Sequence, residues 1–187
     1  MNTKPIVLVG KMASGKTTIA KILETYGFSR IITCTTRPMR KGEIEGTDYY
    51  FVSDEKFLNL MQKNMFAETT DYDAKFGHVY YGSFKDSYKN NTVIVLNPKG
   101  LSFLIKNNIK INSFYLDVPE DILRQRAINR GDDINEIDRR LKKDNDDFKN
   151  IYSLCNHVIS YNQISNFDSS QENTAKAIAK KIIMLSK

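Results

Sequence analysis

The stretch "PIVLVGKMASGKTTIAKILETYGF", residues 5–28, decides the fold. It begins with a short apolar run, Ile6 to Val9, that ends in Gly10, as a buried strand does. Beyond a loop, Ile19, Ile22, Leu23 and Tyr26 recur at helical spacing until Gly27 stops the pattern. Strand, loop and helix therefore follow one another directly. The loop, "GKMASGKT" from Gly10 to Thr17, fits the pattern G-x-x-x-x-G-K-[ST], in which each fixed position has a chemical reason. The glycines let backbone N–H groups wrap a phosphate. Lys16 reaches the terminal phosphates, and the Thr17 hydroxyl stands at the helix N-terminus, ready to ligate Mg²⁺. The residues expected to hold ATP are Gly10, Lys11, Met12, Ala13, Ser14, Gly15, Lys16, Thr17 and Thr18. A phosphate loop alone leaves motor, switch, transporter subunit and kinase all open.

Working outward, further apolar runs at "TVIVLN" (92–97) and "INSFYLD" (111–117) alternate with helical patterns at about 99–107, 119–129, 134–150 and 171–185. Alternating strands and helices predict an α/β fold, a parallel sheet covered on both faces in a three-layer α/β/α core. Residues 34–90 interrupt the alternation. They are richer in aromatics, charge and glycine, and hold one helix, "DEKFLNLMQKN", with Ser53 as its cap. This segment reads as an insert of short strands and one helix. The segment "SYNQISNFDSSQEN" (160–173) reads as a polar connector.

Composition narrows the class further. The 187 residues are 41% apolar, and 28 Lys+Arg against 22 Asp+Glu leave a formal charge of +6, spread along the chain with no basic block of the kind that binds a nucleic-acid polymer. Cys34 and Cys155 are far apart and in no metal-binding spacing. A signal-peptide core and a membrane-length apolar stretch are both missing, so a cytoplasmic protein with no membrane partner is expected.

A second phosphate grip is legible at "TCTTRPMRKGEIEGTDYYF", Thr33 to Phe51. Arg37 and Arg40, on a tight turn, offer guanidinium forks that suit one phosphate, and Tyr49 and Tyr81 offer hydroxyl donors. The alternative is a solvated basic loop. Because the phosphate loop already supplies a donor, a second grip implies a phosphorylated acceptor.

Together with "FAE" (66–68), "YYGS" (80–83), "RQRAINRGDD" (124–133) and "IDRRL" (137–141), this segment resembles the guanylate kinases over nearly the whole chain. The resemblance implies ATP-dependent phosphorylation of GMP or dGMP, with Mg²⁺. It implies a P-loop core of residues 1–33 and 91–187, a helical lid at about 124–146 hinged near Gly131, and a nucleoside-monophosphate-binding insert at 34–90. Carried over residue by residue, Arg37, Arg40, Tyr49 and Tyr81 hold the GMP phosphate, while Thr33 and Glu68 read the guanine. Arg126, Arg130 and Arg140 close over the nucleotide phosphates and join Lys16 and Arg37 as catalytic residues.

Glu68 makes chemical sense by itself. Guanine presents adjacent N1–H and N2–H₂ donors that one carboxylate accepts together, whereas adenine turns an N1 lone pair towards it. Phosphoryl transfer needs positioning and charge neutralisation, so no Ser-His-Asp apparatus is expected, and His78 and His157 read as structural.

Two departures stand out. The family carries two acids, spaced D-x-D, where this chain has Val95 and Asn97. Asn97 is kept as a GMP-site candidate, and Asp117 is a substitute for the missing charge. The stretch "TTDYDAKFGHVY" (69–80) is also longer than the family's usual turn. Another purine or deoxynucleoside monophosphate is thus the nearest alternative acceptor. A binding module without catalysis is a second alternative, which the intact phosphate loop argues against. Oligomeric state is left open.

Overall fold

The structure, a computed structural model, describes residues 2–74, 77–161 and 171–186. Elements are numbered along the chain. Strand β1 (Ile6–Val9) lies at the centre of a five-stranded sheet. Its neighbours are β7 (Thr92–Leu96) and β8 (Asn112–Asp117), and the edges are β2 (Ser29–Arg30) and β9 (His157–Ser160). All pairings in this sheet are parallel.

All four β1 side chains are 0% exposed. Ile6 and Leu8 enter one apolar layer and Val7 and Val9 the other, so the run is continuous rather than alternating. On the first face, Ile19 and Leu23 of α1 (Lys16–Thr25) pack with Ile178 and Ile182 of α7 (Gln171–Leu185) over Phe114. On the second, Leu101 and Leu104 of α3 (Pro98–Lys106) pack with Ile151 of α6 (Ile151–Leu154).

Two smaller clusters flank this core. Helices α4 (Glu120–Asn129) and α5 (Ile134–Asp147) join through Leu123, Ala127, Ile137 and Leu141, with Met12 and Ala13 of the phosphate loop packed against them. The second cluster belongs to a mixed sheet of β4 (Tyr49–Phe51), β3 (Thr33–Thr35), β6 (Gly77–Phe84) and β5 (Phe66–Ala74), in that order. Phe57 of α2 (Asp54–Gln62) stacks on Phe66 at 4.6 Å and on Tyr80 at 5.3 Å, beside Cys34.

Ser53 caps α2 by accepting the Lys56 N–H at 3.2 Å, as its sequence position predicts. The helix expected over 134–150 ends at Asp147, and a separate short helix follows. Strands β2 and β9 were not expected, since two and four residues carry almost no periodic signal. The stretch 69–80 is no loose turn: β5 and β6 pair continuously from Glu68↔Ser83 to Ala74↔Gly77. Residues 162–170 of the expected connector lie outside the described residues, and 171–173 belong to α7.

Candidate active site

The phosphate loop folds as its glycines require. A Cβ on Gly10 would stand 2.6 Å from Ser14 Oγ and 3.2 Å from the Leu116 carbonyl oxygen, so no larger residue fits. Gly15 enters α1 with φ of 92°, a left-handed conformation open to glycine at little cost. Lys16 Nζ donates to the carbonyls of Gly10 (2.6 Å) and Lys11 (2.8 Å) and to Ser14 Oγ (3.3 Å). Burial lowers its pKa to about 8, with Asp144 opposing that shift and Arg140 and Arg130 adding to it. The ammonium makes no salt bridge among the described residues, so its charge is available to an anion.

Asp144, on α5, received no role from the sequence. Its Oδ2 accepts the Met12 N–H at 2.6 Å, and burial raises its pKa. The adjacent Asn145 accepts from Lys11 Nζ, which draws Lys11 towards α5. Helix α5 is therefore docked on the phosphate loop.

A cleft of about 1540 Å³ opens from this loop. A single ligand occupies roughly 300–1,000 Å³, so there is room for two. Gly10, Met12 and residues 13–18 line one end, and Arg40, Tyr49 and Tyr72 of the insert line the other. Val95 and Asn97 line it as well, with Arg126 and Arg130 from α4 and its C-cap and Arg140 from α5. Arg126 reaches the Ala13 carbonyl at 3.5 Å and lies over the Tyr161 ring. Arg130 pairs with Asp132, and Arg140 shares Glu136 with Arg139.

The two turn arginines are separated. Arg37 is 3% exposed, its guanidinium lies 4.8 Å from the Tyr49 ring centroid, and Nη1 and Nη2 grip the Glu43 carboxylate, Nη1 at 2.7 Å. That bond raises the Arg37 pKa further and holds Glu43 at about 2. Glu43 Oε2 also accepts the Arg40 N–H at 2.7 Å and so closes the turn. Arg40 is exposed, lines the cleft and has no carboxylate partner among the described residues. Arg37 thus stands behind Tyr49, with Arg40 as the cation in front.

Glu68 is 3% exposed. A register shift between Phe66 and Glu68 sets its direction, as bulges do beside functional sites. Oε1 accepts from Ser83 Oγ at 2.8 Å, and Ser83 Oγ lies 2.6 Å from Tyr88 Oη. Oε2 is buried with no hydrogen-bond partner among the described residues. Burial raises the Glu68 pKa to about 7, against the Ser83 hydrogen bonds. A Cβ on Gly100 would meet Glu68 Oε2 at 3.1 Å and Asn97 Oδ1 at 3.4 Å, so the carboxylate lies just behind the cleft wall at Asn97. The pairs Cys34↔Gly82 and Glu68↔Ser83 put Thr33 level with Ser83 in the same row. Neither Thr33 nor Tyr81 lines the cleft; Tyr81 lies behind Tyr72.

Asn97 is the N-cap of α3, its Oδ1 accepting the Gly100 N–H at 2.8 Å. One lone pair of its oxygen is spent on the helix, which leaves the amide nitrogen as the donor for a ligand. Asp117 does not replace the missing acids. It does not line the cleft. Of the histidines, His78 bridges Asp71 and Asp73 at 3.3 and 2.8 Å, and His157 stacks on Phe114. Thr17 is exposed at the first turn of α1, and no group of three or more His, Cys, Asp or Glu able to hold a metal occurs among the described residues. One hydroxyl fits Mg²⁺, which keeps most of its shell as water and substrate phosphate.

A family model described as guanylate kinase matches residues 2–181. The chain is 33% identical to the guanylate kinase of Clostridium tetani over 165 residues, 84% of this chain and 74% of that protein. It is 31% identical to that of Rickettsia prowazekii over 187 aligned residues, 87% of this chain and 93% of the relative. Among solved structures, guanylate kinase from Anaplasma phagocytophilum superposes with a TM-score of 0.67 at 25% identity, covering 99% of this chain and 88% of that one. Shikimate kinase from Acinetobacter baumannii, at 14% identity and a TM-score of 0.51 over 98% and 92% of the two chains, shares the fold alone. A match running from the first strand into the last helix, with relatives alike along most of their length, means that the protein belongs to the guanylate kinase family.

Proposed function

We propose that the protein transfers the γ-phosphoryl group of ATP to GMP or dGMP, releasing ADP and GDP or dGDP. The observation that carries this reading is one cleft joining the phosphate loop to Arg40 and Tyr49, beside a buried carboxylate with a free acceptor oxygen. In this reading residues 1–33 and 91–187 are the core, 34–90 bind the acceptor, and about 124–146 form the lid. Lys16 and the lid arginines Arg126, Arg130 and Arg140 neutralise charge on the transferring group. Arg40 and Tyr49 hold the acceptor phosphate, backed by Arg37 and Tyr81. Glu68 and Thr33 read the base, with Asn97 beside them.

The attacking oxygen belongs to a phosphate anion, so no general base is needed and orientation does the chemistry. Mg²⁺, held by Thr17 and the nucleotide, would supply further charge neutralisation between the donor phosphates. Small nucleotides are the partners, and no helix among the described residues is long and apolar enough to cross a membrane. An enzyme using ATP and GMP belongs where both are held, in the cytoplasm. Coupled measurement of ADP release across a panel of NMPs and dNMPs tests the reading. GMP and dGMP should head the panel, and ATP turnover indifferent to every monophosphate would overturn it.

Glu68→Gln should erode the preference for GMP over AMP by at least about tenfold, near 1.4 kcal/mol. Asn97→Asp should change it much less, because Glu68 carries most of the guanine selectivity in this reading. Ratios of kcat/KM for GMP, dGMP, AMP and IMP in the three proteins check both. Ratios untouched by the Glu68 change but reordered at Asn97 would move base recognition to Asn97.

Glu68 also implies a pH dependence. Its pKa in the free protein is raised to about 7, and only the ionised form accepts both guanine donors. Below that value, binding must first remove a proton, so KM for GMP should fall as pH rises from 6 to 8. The acceptor phosphate itself titrates near pH 6. Glu68→Gln provides the control, since it keeps the phosphate titration and loses the carboxylate's; identical profiles for the two proteins would remove Glu68 from the effect.

A further inference from the structure

The geometry points to Tyr72 as a positioning residue for the acceptor phosphate, one that acts by fixing the hydroxyl of Tyr81. This inference rests on the GMP-kinase reading and adds a residue that reading does not use. Tyr72 lies on β5 opposite Val79, which makes Tyr81 of β6 its diagonal neighbour on the same face of the hairpin. The two rings are stacked, with centroids 5.5 Å apart and planes 12° from parallel. The Tyr72 hydroxyl donates to Tyr81 Oη at 3.0 Å.

A phenol has one proton to give and lone pairs to receive. The Tyr81 oxygen receives the Tyr72 proton. Because Tyr72 is the donor of that pair, the proton of Tyr81 itself is left to point elsewhere. An anionic oxygen is the ligand chemistry that fits. Tyr72 lines the cleft with Arg40 and Tyr49, whereas Tyr81 and Arg37 lie behind that surface. A phosphate placed between Arg40 and Tyr49 would therefore meet a hydroxyl oriented from behind by Tyr72.

Contacts from two other elements hold Tyr72 in place. Lys143 of α5 brings Nζ to 5.7 Å from its ring centroid, a cation–π contact spanning the cleft from the lid to the insert. At the neighbouring residue, Asp71 Oδ1 accepts from Lys99 Nζ of α3 at 2.7 Å and ties the hairpin to the core. The lengthened hairpin is thus a wall of the acceptor site, braced on both sides.

The test is a kinetic cycle with Tyr72→Phe, Tyr81→Phe and the double variant, plus Tyr72→Leu. Tyr72→Phe keeps the stack and removes one neutral hydrogen bond, so KM for GMP should rise about 3- to 10-fold. KM for ATP and the melting temperature should stay at their wild-type values. In the Tyr81→Phe background the same change should have no further effect. Tyr72→Leu, which also loses the ring, should be worse than Tyr72→Phe. An unchanged KM for GMP in Tyr72→Phe, a parallel rise for both substrates, or full additivity with Tyr81→Phe would each overturn the role of Tyr72 while leaving the kinase reading intact. A wild-type protein that phosphorylates no monophosphate would overturn that reading and the role of Tyr72 with it.

Discussion

Lys16→Ala should lower kcat by about two to three decades, the loss typical of removing one preorganised charge from a transition state. The structure argues for the large effect. Lys16 Nζ is gathered into the loop by two carbonyls and a hydroxyl rather than by a carboxylate. The loop thus holds an uncompensated positive charge at the place where the phosphates arrive. Burial already pulls the pKa of this ammonium down to about 8, and a polyphosphate anion would reverse that pull. Removing the amine discards charge neutralisation that no neighbour supplies from the same position. The apolar layers under the loop do not include Lys16, so the fold should survive. Single-turnover kinetics together with a thermal melt check both halves. Near-normal ATP-dependent activity in a folded Lys16→Ala protein would remove Lys16 from the catalytic step.

The second large effect is expected at Arg40. Arg40→Ala should raise KM for GMP and lower kcat, with kcat/KM falling by about one to two decades, since a hydrogen bond to a charged group is worth roughly 1.5–3 kcal/mol. ATP affinity should hardly move, because the guanidinium faces the acceptor end of the cleft. The melting temperature should hold too, because the side chain is exposed and the turn is closed by the Arg40 N–H, which alanine retains. Arg37→Ala would behave differently. It would strand the Glu43 carboxylate and empty the space against Tyr49 and Phe51, so its kinetic loss should come with a lower melting temperature. Isothermal titration with GMP and with ATP separates the two arginines. An Arg40→Ala defect confined to ATP would move that side chain to the donor site.

Much of the scaffold was legible because it is written in local terms. The β1–loop–α1 unit needs a buried apolar run, glycines where a Cβ would collide or φ turns positive, and a helical period, all within one short stretch. Ser53 announced α2 for the same reason, since a cap acts on residues a turn away. Strands β2 and β9 escaped because they are too short for any period and exist through parallel pairing with distant partners.

The sequence by itself also determined which side chains were available to the site: the phosphate loop, two arginines on one turn, a carboxylate on the β5 strand, and an amide at position 97. What only the tertiary structure decided is which of them are free. A guanidinium or carboxylate binds whichever opposite partner the fold brings within about 3 Å, whether that partner is a few residues away or across the chain. Arg37 went to Glu43, so Arg40 faces the cleft. Asp144 crossed from α5 to the Met12 N–H, and Asn97 turned its oxygen into its own helix. Glu68 kept one oxygen unpaired among the described residues because Ser83, itself bonded to Tyr88, reaches only the other, and Gly100 leaves space beside it. Periodicity carries no trace of the Asp144 and Glu68 contacts, since they depend on angles and distances between elements that meet only after the fold has formed.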